Sequence, residues 1–438
     1  MARRTVQILK GTRDFLPSQF IRRRRIIEVI QQTFEQFGFE PMETPAIEYA
    51  ETLEEKYGEE GDRLIYKFTD QGGRRVALRY DLTVPLARAV AMYPVERIFR
   101  RYQISPVWRA DRPQKGRFRE FWQCDADIVG SKEMWADAEV IALTYVTLKK
   151  LGFEEFTIRI NNRKLLNGIA IYGGIDEEHM ASFFRVIDKA EKIGWDGVRK
   201  ELKDRSFPES VVEKTVGIIS QEAKRDGNLE KLRVILKDIP VALEGTMELE
   251  EINNCLKNMD IDLEHISFDV SLARGLDYYT GPIFETVIKK PQIGSISGGG
   301  RFDNLIGIFS GKEIPATGTS LGLERIITIM EELDMLPEIS TLSEVLVTVF
   351  DRSLVKISFQ IVSELRSAGI KAEIYLKEER LKKQLNYANS KGIPLVVIIG
   401  PDEVERGEIG LRDMRRKTQM NVPRKDITQK IKELLADK

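Results

Sequence analysis

One segment of the sequence concentrates side chains that are suited to binding a nucleotide. It reads VWRADRPQKGRFREFWQCDADIV, with two strand-like ends around a basic Pro-Gln-Lys-Gly loop. We predict a β-hairpin whose two strands bring five side chains face to face: Arg109 and Asp111 on the first, and Arg117, Phe121 and Asp127 on the second. Arginine forms forked hydrogen bonds to phosphate and an aromatic ring stacks on a nucleobase, so the segment indicates nucleotide binding. A surface hairpin with solvated charges is the alternative.

Two further segments combine small residues with groups that can carry charge. LARGLDYY runs from Leu272 to Tyr279, and SGGGRFD runs from Ser297 to Asp303. The first segment could be a strand end with a structural Arg274–Asp277 pair. The glycine triplet of the second could be a bulge or a loop that lies close to phosphate. The residues alone leave both alternatives open.

The elements that must position these groups follow from hydrophobic periodicity. Apolar residues at helical spacing predict an amphipathic helix from Ile21 to Phe37, which ends near Gly38 and leads into a strand that ends at Pro45. The strand candidates that follow suggest a largely antiparallel sheet with helices on one face. These candidates are Arg75–Arg79, Gln103–Trp108, Glu120–Ile128, Phe156–Ile160, Ile283–Val287 and Gly318–Leu323.

The pattern changes twice along the chain, which predicts an α+β protein with more than one domain. Residues 164–262 are charged and helix-periodic, and we interpret them as a helical insertion into a domain that spans residues 1–330. A linker at 331–343 precedes EVLVTVF, KAEIYL and PLVVIIG, which alternate with helical patterns and predict an α/β domain at 344–438. That domain has 19 Lys and Arg against 14 Asp and Glu, a mildly basic balance that permits a nucleic-acid partner.

The amino-acid composition indicates which classes of protein and which kinds of site can be excluded. A chain with 42% hydrophobic and 31% charged residues, and no apolar run near the ~20 residues of a membrane helix, is expected to be soluble and not membrane-bound. The N-terminal residues lack the apolar run of a secretion signal, so we expect a cytoplasmic location. His179 and His265 are the only histidines, which excludes a multi-histidine metal centre.

The hairpin segment resembles motif 2 of class II aminoacyl-tRNA synthetases, in which an Arg-x-Asp is followed by a loop and Arg-x-x-x-Phe-x-x-x-Asp. In this sequence, Asp111 stands where many members have glutamate, and Asp125 ends the motif. The helix and strand that end at Pro45 resemble motif 1, the dimer-forming element. GTSLGLER, from Gly318 to Arg325, resembles motif 3. The three motifs occur in the family's order.

LARGLDYY and SGGGRFD, with the opening KGTRDFLP and the RYDLTVP at Arg79–Pro85, are similar to the histidyl-tRNA synthetase family within this class. The resemblance covers essentially the whole chain. It implies an ATP-dependent ligase that forms histidyl-adenylate and transfers histidine to the 3′ end of tRNA(His). It also implies that the terminal domain, with basic residues gathered in RGEIGLRDMRRKTQMNVPRK, binds the anticodon.

The resemblance also assigns roles to individual residues. It implies a histidine site formed by Asp81, Leu82, Thr83, Arg109, Gln123, Asp127, Arg274, Tyr278 and Tyr279. It implies an ATP site formed by Arg109, Asp111, Arg117, Phe121 and Arg325. Arg109 and Arg274 are the expected catalytic residues, meeting at the histidine carboxylate and the ATP α-phosphate. Asp127 and Tyr279 are expected to bond the two imidazole nitrogens.

The resemblance implies ATP as a substrate, Mg²⁺ on its outer phosphates through ligands that it does not identify, and a homodimer. The main alternative is the regulatory subunit of ATP phosphoribosyltransferase, a histidine-binding paralogue without catalysis. Such proteins typically lack an intact LARGLDYY and the terminal domain, and both are present in this sequence. A class IIa synthetase for proline or threonine would lack the residues from Arg274 to Tyr279.

Overall fold

The computed structural model describes residues 6–93, 98–222, 228–273, 278–291, 293–339 and 341–437. The chain divides into two compact units, Met1–Arg13 with Ile26–Leu336 and Asp14–Arg25 with Pro337–Lys438. In the described ranges, none of the helices combines the length and the hydrophobicity that crossing a bilayer requires.

The large unit contains an eight-stranded and a three-stranded sheet. The larger sheet has the strand order β1-β5-β6-β11-β10-β9-β7-β8, and it is antiparallel except for the pairs β1–β5 and β7–β8. The smaller sheet has the order β2-β4-β3. The strands are β1 (Glu40–Pro41), β2 (Ile47–Tyr49), β3 (Lys67–Thr69), β4 (Arg75–Leu78), β5 (Phe99–Trp108), β6 (Glu120–Val129), β7 (Thr157–Asn162), β8 (Ile266–Phe268), β9 (Pro282–Val287), β10 (Ser297–Arg301) and β11 (Ala316–Gly322).

The helices up to Glu332 follow the hydrophobic periodicity of the sequence, and six of them, α6 to α11, form the helical stretch between β7 and β8. They are α1 (Pro17–Gln36), α2 (Ala50–Leu53), α3 (Gly58–Leu64), α4 (Thr83–Met92), α5 (Met134–Lys150), α6 (Arg163–Gly173), α7 (Glu177–Ile187), α8 (Ala190–Asp204), α9 (Glu209–Glu222), α10 (Leu229–Ile235), α11 (Pro240–Asn258), α12 (Gly307–Ser310) and α13 (Leu323–Glu332).

One face of the eight-stranded sheet packs against helices and forms the main hydrophobic core. Alternate residues of β6, including Cys124, Ala126 and Ile128, are fully buried in this core. Helices α5, α11 and α13 contact this sheet, and the Thr144 hydroxyl of α5 donates a hydrogen bond to the Thr319 hydroxyl of β11 at 3.1 Å. Because successive strand residues point to opposite faces, the other residues of β6 are left for the opposite face.

A buried ion pair ties β10 to α5 on the core side. Arg301 and Asp137 are 3% and 0% exposed, and their side chains are joined by hydrogen bonds. The Arg301 guanidinium also donates to the backbone oxygen atoms of Ser131 at 2.9 Å and Glu133 at 3.2 Å. The pair therefore fixes the end of the glycine-rich strand against the helix.

The small unit contains a five-stranded sheet with the order β13-β12-β14-β15-β16. The pairs of β12 with β13 and β14 are parallel, and the two remaining pairs are antiparallel, so the sheet is mixed. Its elements are β12 (Val345–Val347), α14 (Val355–Ser367), β13 (Ala372–Ile374), α15 (Leu381–Lys391), β14 (Leu395–Ile398), α16 (Pro401–Arg406), β15 (Glu408–Asp413), β16 (Thr418–Pro423) and α17 (Ile427–Ala436).

Candidate active site

Strand register places a polar band on the face of the large sheet that does not carry the core. Directly opposed residues of neighbouring strands share a face, so the pairing can be followed from strand to strand. On β5, β6, β11 and β10 the band consists of Arg101, Gln103, Ser105, Gln123, Asp125, Asp127, Gly318, Ser320, Gly322, Gly298 and Gly300. The band thus combines charged groups with glycines, which leave open space above the sheet.

Gly318 shows why small residues are needed in β11. It is paired with Asp127 of β6, and a Cβ atom at this position would overlap the Asp127 carboxylate. Any larger residue would displace that carboxylate. The small-residue strand of the sequence therefore makes room for the acidic side chain beside it.

The polar band forms part of the wall of a cavity with a volume of about 300 Å³. The wall includes seven residues that the sequence predicts as site residues: Arg109, Asp111, Arg117, Phe121, Gln123, Tyr279 and Arg325. Glu285, Glu324, Gly298 and Gly299 also line it. Three arginines on the wall of one cavity favour an anionic ligand, because guanidinium groups fork onto phosphate and carboxylate oxygens.

Arg109 is held between two aromatic rings at the cavity. Its guanidinium carbon lies 4.2 Å from the ring centroid of Tyr80 and 5.1 Å from that of Phe121. Its Nε donates to the Tyr80 backbone oxygen at 3.0 Å. These contacts orient the side chain before any ligand is present, which suits a group that must meet developing charge.

The other two arginines are anchored differently. Arg117 forms an ion pair with Asp111, which faces it across the hairpin loop. Arg325 donates to the backbone oxygen of Ser295, between β9 and β10. Glu324 forms an ion pair with Arg13, and Glu285 forms one with Arg159 at 3.0 Å. The cavity wall is therefore lined by fixed charges of both signs.

Asp81 and Gln123 each present a buried acceptor that has no partner among the described residues. Asp81 is 2% exposed, and its Oδ1 accepts from the Tyr57 hydroxyl at 2.9 Å and the Val84 amide at 3.1 Å. Its Oδ2 has no hydrogen-bond partner, and neither has Oε1 of Gln123, whose Nε2 donates to the Ser320 hydroxyl at 2.7 Å. Burial raises the pKa of Asp81. Both oxygen atoms are in need of a donor.

Asp127 does not face Arg109 across the hairpin, so that prediction was wrong. The strands β5 and β6 are antiparallel. Arg109 stands opposite Arg119, and Asp127 stands opposite Arg101. Asp127 is 2% exposed and forms an ion pair with Arg101 at 2.7 Å. It is not among the residues that line the cavity, and neither are Asp81, Leu82, Thr83 and Tyr278.

Tyr278 and Tyr279 lie together, with ring centroids 5.0 Å apart, and Tyr279 lines the cavity. Burial, with Asp127 nearby, holds the pKa of Tyr279 far above its usual value, so the hydroxyl remains a donor. Thr83 begins α4 and shares a hydrogen bond with Tyr278. Arg274, expected to be catalytic, lies outside the described residues.

The N-terminal residues 9–13 form a strap over the hairpin loop, which sequence reasoning noted only as part of the resemblance. The Arg119 amide donates to the Gly11 oxygen at 2.8 Å. Arg13 lies 3.3 Å from the ring centroid of Phe118 and is ion-paired with Glu324. Gly11 has φ of +90°, and a Cβ there would meet the Arg119 side chain at 2.8 Å. The strap thus joins the hairpin to the start of α13.

Comparison with known proteins agrees with this arrangement. A protein-family model described as histidyl-tRNA synthetase matches residues 11–326, and one described as anticodon binding domain matches residues 344–434. The histidine–tRNA ligase of Gloeobacter violaceus is 43% identical, with 94% of this chain and 95% of that protein covered. That of Aeropyrum pernix is 42% identical, with 97% and 98% covered.

The crystal structure of histidyl-tRNA synthetase from Nostoc sp. has a TM-score of 0.85 and 30% identity, and the match covers 98% of this chain and 99% of that chain. Such matches favour a ligase over the histidine-binding regulatory subunit. They agree with the meeting of motifs 2 and 3 at one cavity, on β5–β6 and at the start of α13. The chain belongs to the histidyl-tRNA synthetase family of aminoacyl-tRNA ligases.

Proposed function

We propose that the chain activates L-histidine with ATP and transfers it to the 3′ end of tRNA(His) at the cavity described above. The observation that carries this proposal is the pairing of two buried acceptors without donors, on Asp81 and Gln123, with three arginines on the cavity wall. An amino acid brings an ammonium group that needs acceptors, and ATP brings phosphates that need cations. Gln123 and the three arginines line one cavity, whereas Asp81 is not among its lining residues.

The ammonium group of histidine is assigned to Asp81 Oδ2 and Gln123 Oε1, with the Thr83 hydroxyl nearby. A carboxylate oxygen and an amide oxygen are natural acceptors for its three N–H donors. Both oxygens are already positioned by bonds made through the other atom of the same group. The N–H groups of the histidine ammonium would therefore supply the hydrogen-bond donors that these two oxygens lack.

The reacting groups are assigned to Arg109 and, on the sequence resemblance alone, to Arg274. In the first step a carboxylate oxygen of histidine attacks the α-phosphorus of ATP, and pyrophosphate leaves. Negative charge gathers between two anions in this step, and a fixed guanidinium stabilises it without reorganising. In the second step the terminal ribose hydroxyl of tRNA attacks the acyl carbon and AMP leaves, with an adenylate phosphate oxygen proposed to accept the proton.

The remainder of ATP is assigned to the hairpin and to α13. Phe121 offers a ring for the adenine base, while Arg117 and Arg325 would bind the outer phosphates. Arg117 would have to exchange its ion pair with Asp111 for the nucleotide. Arg325, at the start of a helix whose free N–H groups also favour anions, would hold the γ-phosphate.

The imidazole is assigned to Asp127 and Tyr279, with Tyr278 and the Leu82 segment beside them. A site whose buried polar groups need partners rejects apolar side chains strongly. Asp127 is not among the residues that line the cavity, so this assignment requires histidine to reach beyond the cavity formed by the described residues.

Magnesium is proposed on the outer phosphates of ATP. The described residues hold no cluster of three or more side chains that could ligate a metal. Glu285 and Glu324 line the cavity and could each supply an oxygen, although both are also ion-paired with arginines. This fits Mg²⁺, which binds through one or two carboxylates and substrate phosphates and keeps much of its water. Bound there, it would neutralise phosphate charge.

The function is tested by the exchange of pyrophosphate into ATP with each of the twenty amino acids. We expect histidine alone to stimulate exchange strongly. A protein that binds histidine without any exchange would match the regulatory-subunit alternative. Exchange stimulated best by another amino acid would overturn the histidine assignment.

A homodimer is proposed from the resemblance of the first helix and strand to motif 1, which pairs two subunits about a two-fold axis. Ile47 and Tyr49 of the edge strand β2 are 50% and 52% exposed, and such exposed apolar side chains suit an interface. We expect sedimentation at micromolar concentration to give twice the chain mass. A fully active monomer would contradict the proposal.

The small unit is proposed to bind tRNA(His) in the cytoplasm through a basic surface. The residues concerned are Arg412, Arg415, Arg416, Lys417, Arg424 and Lys425. Arg415, Arg416 and Arg424 form ion pairs. Arg416 lies 3.2 Å from Asp437, and Arg424 lies 2.6 Å from Glu364. Phosphate contacts by the remaining cations would add affinity that falls with salt.

We expect a chain that ends at Leu336 to form histidyl-adenylate but to charge tRNA poorly, with a shallower salt dependence. The reason is that every cavity residue lies before this position. Exchange and tRNA charging are measured on the same preparation, with circular dichroism and sedimentation to confirm that the shortened chain is folded and dimeric. Full tRNA charging by the shortened chain would show that the small unit is not the tRNA-binding element.

A further inference from the structure

Arg101 of β5 is a fully buried cation with an unusual set of partners. Its side chain is 0% exposed, and its Nη2 lies 2.7 Å from Asp127 Oδ2 and donates to the Leu82 backbone oxygen at 3.1 Å. Its Nε and Nη1 are buried and have no hydrogen-bond partner among the described residues. An arginine that leaves two donor atoms unused is a poor choice for stability alone, because each unmet buried donor is costly.

Two carboxylates, those of Asp125 and Asp127, lie near this one arginine, and Asp81 lies near both of them. Asp81, Asp125 and Asp127 are 2%, 1% and 2% exposed. Burial raises the pKa of each of them, and Arg101 opposes the effect at Asp125 and Asp127. An uncharged residue in place of Arg101 would leave like charges close together in a buried site, and protons would be taken up there.

We propose that Arg101 is a positioning residue for histidine recognition, which fixes the Asp127 carboxylate and holds it as an anion that accepts an imidazole N–H. The inference rests on the proposed assignment of Asp127 to the imidazole. Arg101 engages Oδ2, and Oδ1 faces Gly318, the position where β11 leaves space beside the carboxylate. The anchor on Leu82, one of the predicted histidine-site residues, connects the arginine to the segment that carries Asp81.

The part of the ligand that Arg101 helps to recognise, through Asp127, is a ring nitrogen that carries hydrogen. An aspartic acid that took up a proton would become a donor at one oxygen and, without its charge, would accept an N–H more weakly at the other. Histidine would then lose part of its advantage over amino acids with apolar rings. Arg101 therefore supports specificity without contacting the substrate.

The test compares Arg101→Met, which keeps the length and removes the charge, with Arg101→Lys, which keeps the charge. Arg100→Met on the same strand is the matched control, because Arg100 is half-exposed and pairs with Glu139 at 3.3 Å. KM for histidine and KM for ATP are measured by pyrophosphate exchange. We expect Arg101→Met to raise KM for histidine by at least ~10-fold, the loss of about one charge-assisted hydrogen bond, with little change for ATP. Arg101→Lys should recover part of the loss.

A pH series supplies a readout that a merely structural role would not move. Around Asp127 stand Arg101 from β5, Asp125 on its own strand, Asp81 before α4 and Tyr279 before β9. Without Arg101 the pKa of Asp127 rises further, so the carboxylate is neutral at low pH and regains its charge as pH rises. Relative to wild type, KM for histidine of Arg101→Met should therefore fall between pH 6.5 and 8.5. The ratio to wild type cancels the titration of free histidine.

Asp127→Asn separates failure of this inference from failure of the assignment on which it rests. Unchanged KM for histidine in Asp127→Asn would overturn the imidazole assignment, and the inference with it. Raised KM in Asp127→Asn but wild-type KM and pH profile in Arg101→Met would overturn the role of Arg101 alone. Equal losses for histidine and ATP in Arg101→Met would also overturn it.

Folding is controlled by the double variant Arg101→Met with Asp127→Asn, which removes both members of the buried ion pair. We expect this variant to keep the melting temperature, to bind histidine weakly and to lose the pH dependence of Arg101→Met. If Arg101→Met itself fails to fold, KM for histidine of Arg101→Lys and of the double variant tests the proposal instead. A double variant with wild-type KM for histidine would overturn the proposal.

Discussion

Replacing Arg109 by alanine should lower the rate of histidyl-adenylate formation by at least ~10² to 10³, the typical loss on removing one preorganised charge stabiliser. Arg109 is fixed at the cavity by the Tyr80 backbone oxygen and by two aromatic rings, so its charge is in place before the reaction begins. Single-turnover formation of adenylate is the measurement. On the sequence resemblance alone, we expect a loss of the same order for Arg274→Ala.

Arg100→Ala is the control for this experiment, because Arg100 lies on the same hairpin strand and is half-exposed away from the polar band. It should retain adenylate formation within about twofold of wild type. Arg109→Lys distinguishes charge from forked geometry, since lysine keeps the charge but cannot form paired bonds to phosphate. Adenylate formation by Arg109→Ala at the wild-type rate would remove Arg109 from the reaction.

Asp137→Ala should lower the free energy of unfolding of the large unit by about 3 to 5 kcal/mol, the usual cost of leaving one member of a buried ion pair unpaired. Asp137 is fully buried in α5 and is the more deeply buried acidic partner of Arg301 in β10, which also pairs with Asp303 at 3.2 Å. Burial raises the pKa of Asp137 to about 6, so it is ionised at pH 7.5, where the measurement is made. Urea unfolding followed by tryptophan fluorescence gives the change.

The matched control is Glu139→Ala on the same helix, which removes a half-exposed ion pair and should cost under about 1 kcal/mol. Asp137→Leu with Arg301→Met removes both charges and should recover much of the loss. If Asp137→Ala proved as stable as Glu139→Ala, the buried pair would contribute nothing to the fold.

The hydrophobic pattern predicted the strands of the large unit well where they are long and poorly where they are short. The six strand candidates between Arg75 and Leu323 are present as β4, β5, β6, β7, β9 and β11, whereas the strand predicted to end at Pro45 is the two-residue β1, which ends at Pro41. The strands β2, β3 and β8 were missed because each has three residues, too few for alternation to be recognised. The glycine triplet was left undecided and is part of strand β10.

The candidate site was predicted where its residues lie near one another in sequence. The ion pair of Asp111 with Arg117 follows from the hairpin loop, and both residues line the cavity with Phe121. Arg101 was missed because its partner is set by strand register, which places Asp127 opposite Arg101 and eight residues along the chain from Arg119, the residue opposite Arg109. The contact of Arg13 with Glu324 joins residues 311 positions apart, and no local pattern indicates it.

The strap at residues 9–13 has a consequence for the order in which the protein is made. Ribosomes synthesise the N-terminus first, yet Glu324, the partner of Arg13, follows 311 residues later. At roughly 5 to 20 residues per second, that delay is about 15 to 60 seconds. The strap leaves the ribosome before the rest of the site and is therefore among the last segments to dock, and the cavity is completed only after α13 has been translated.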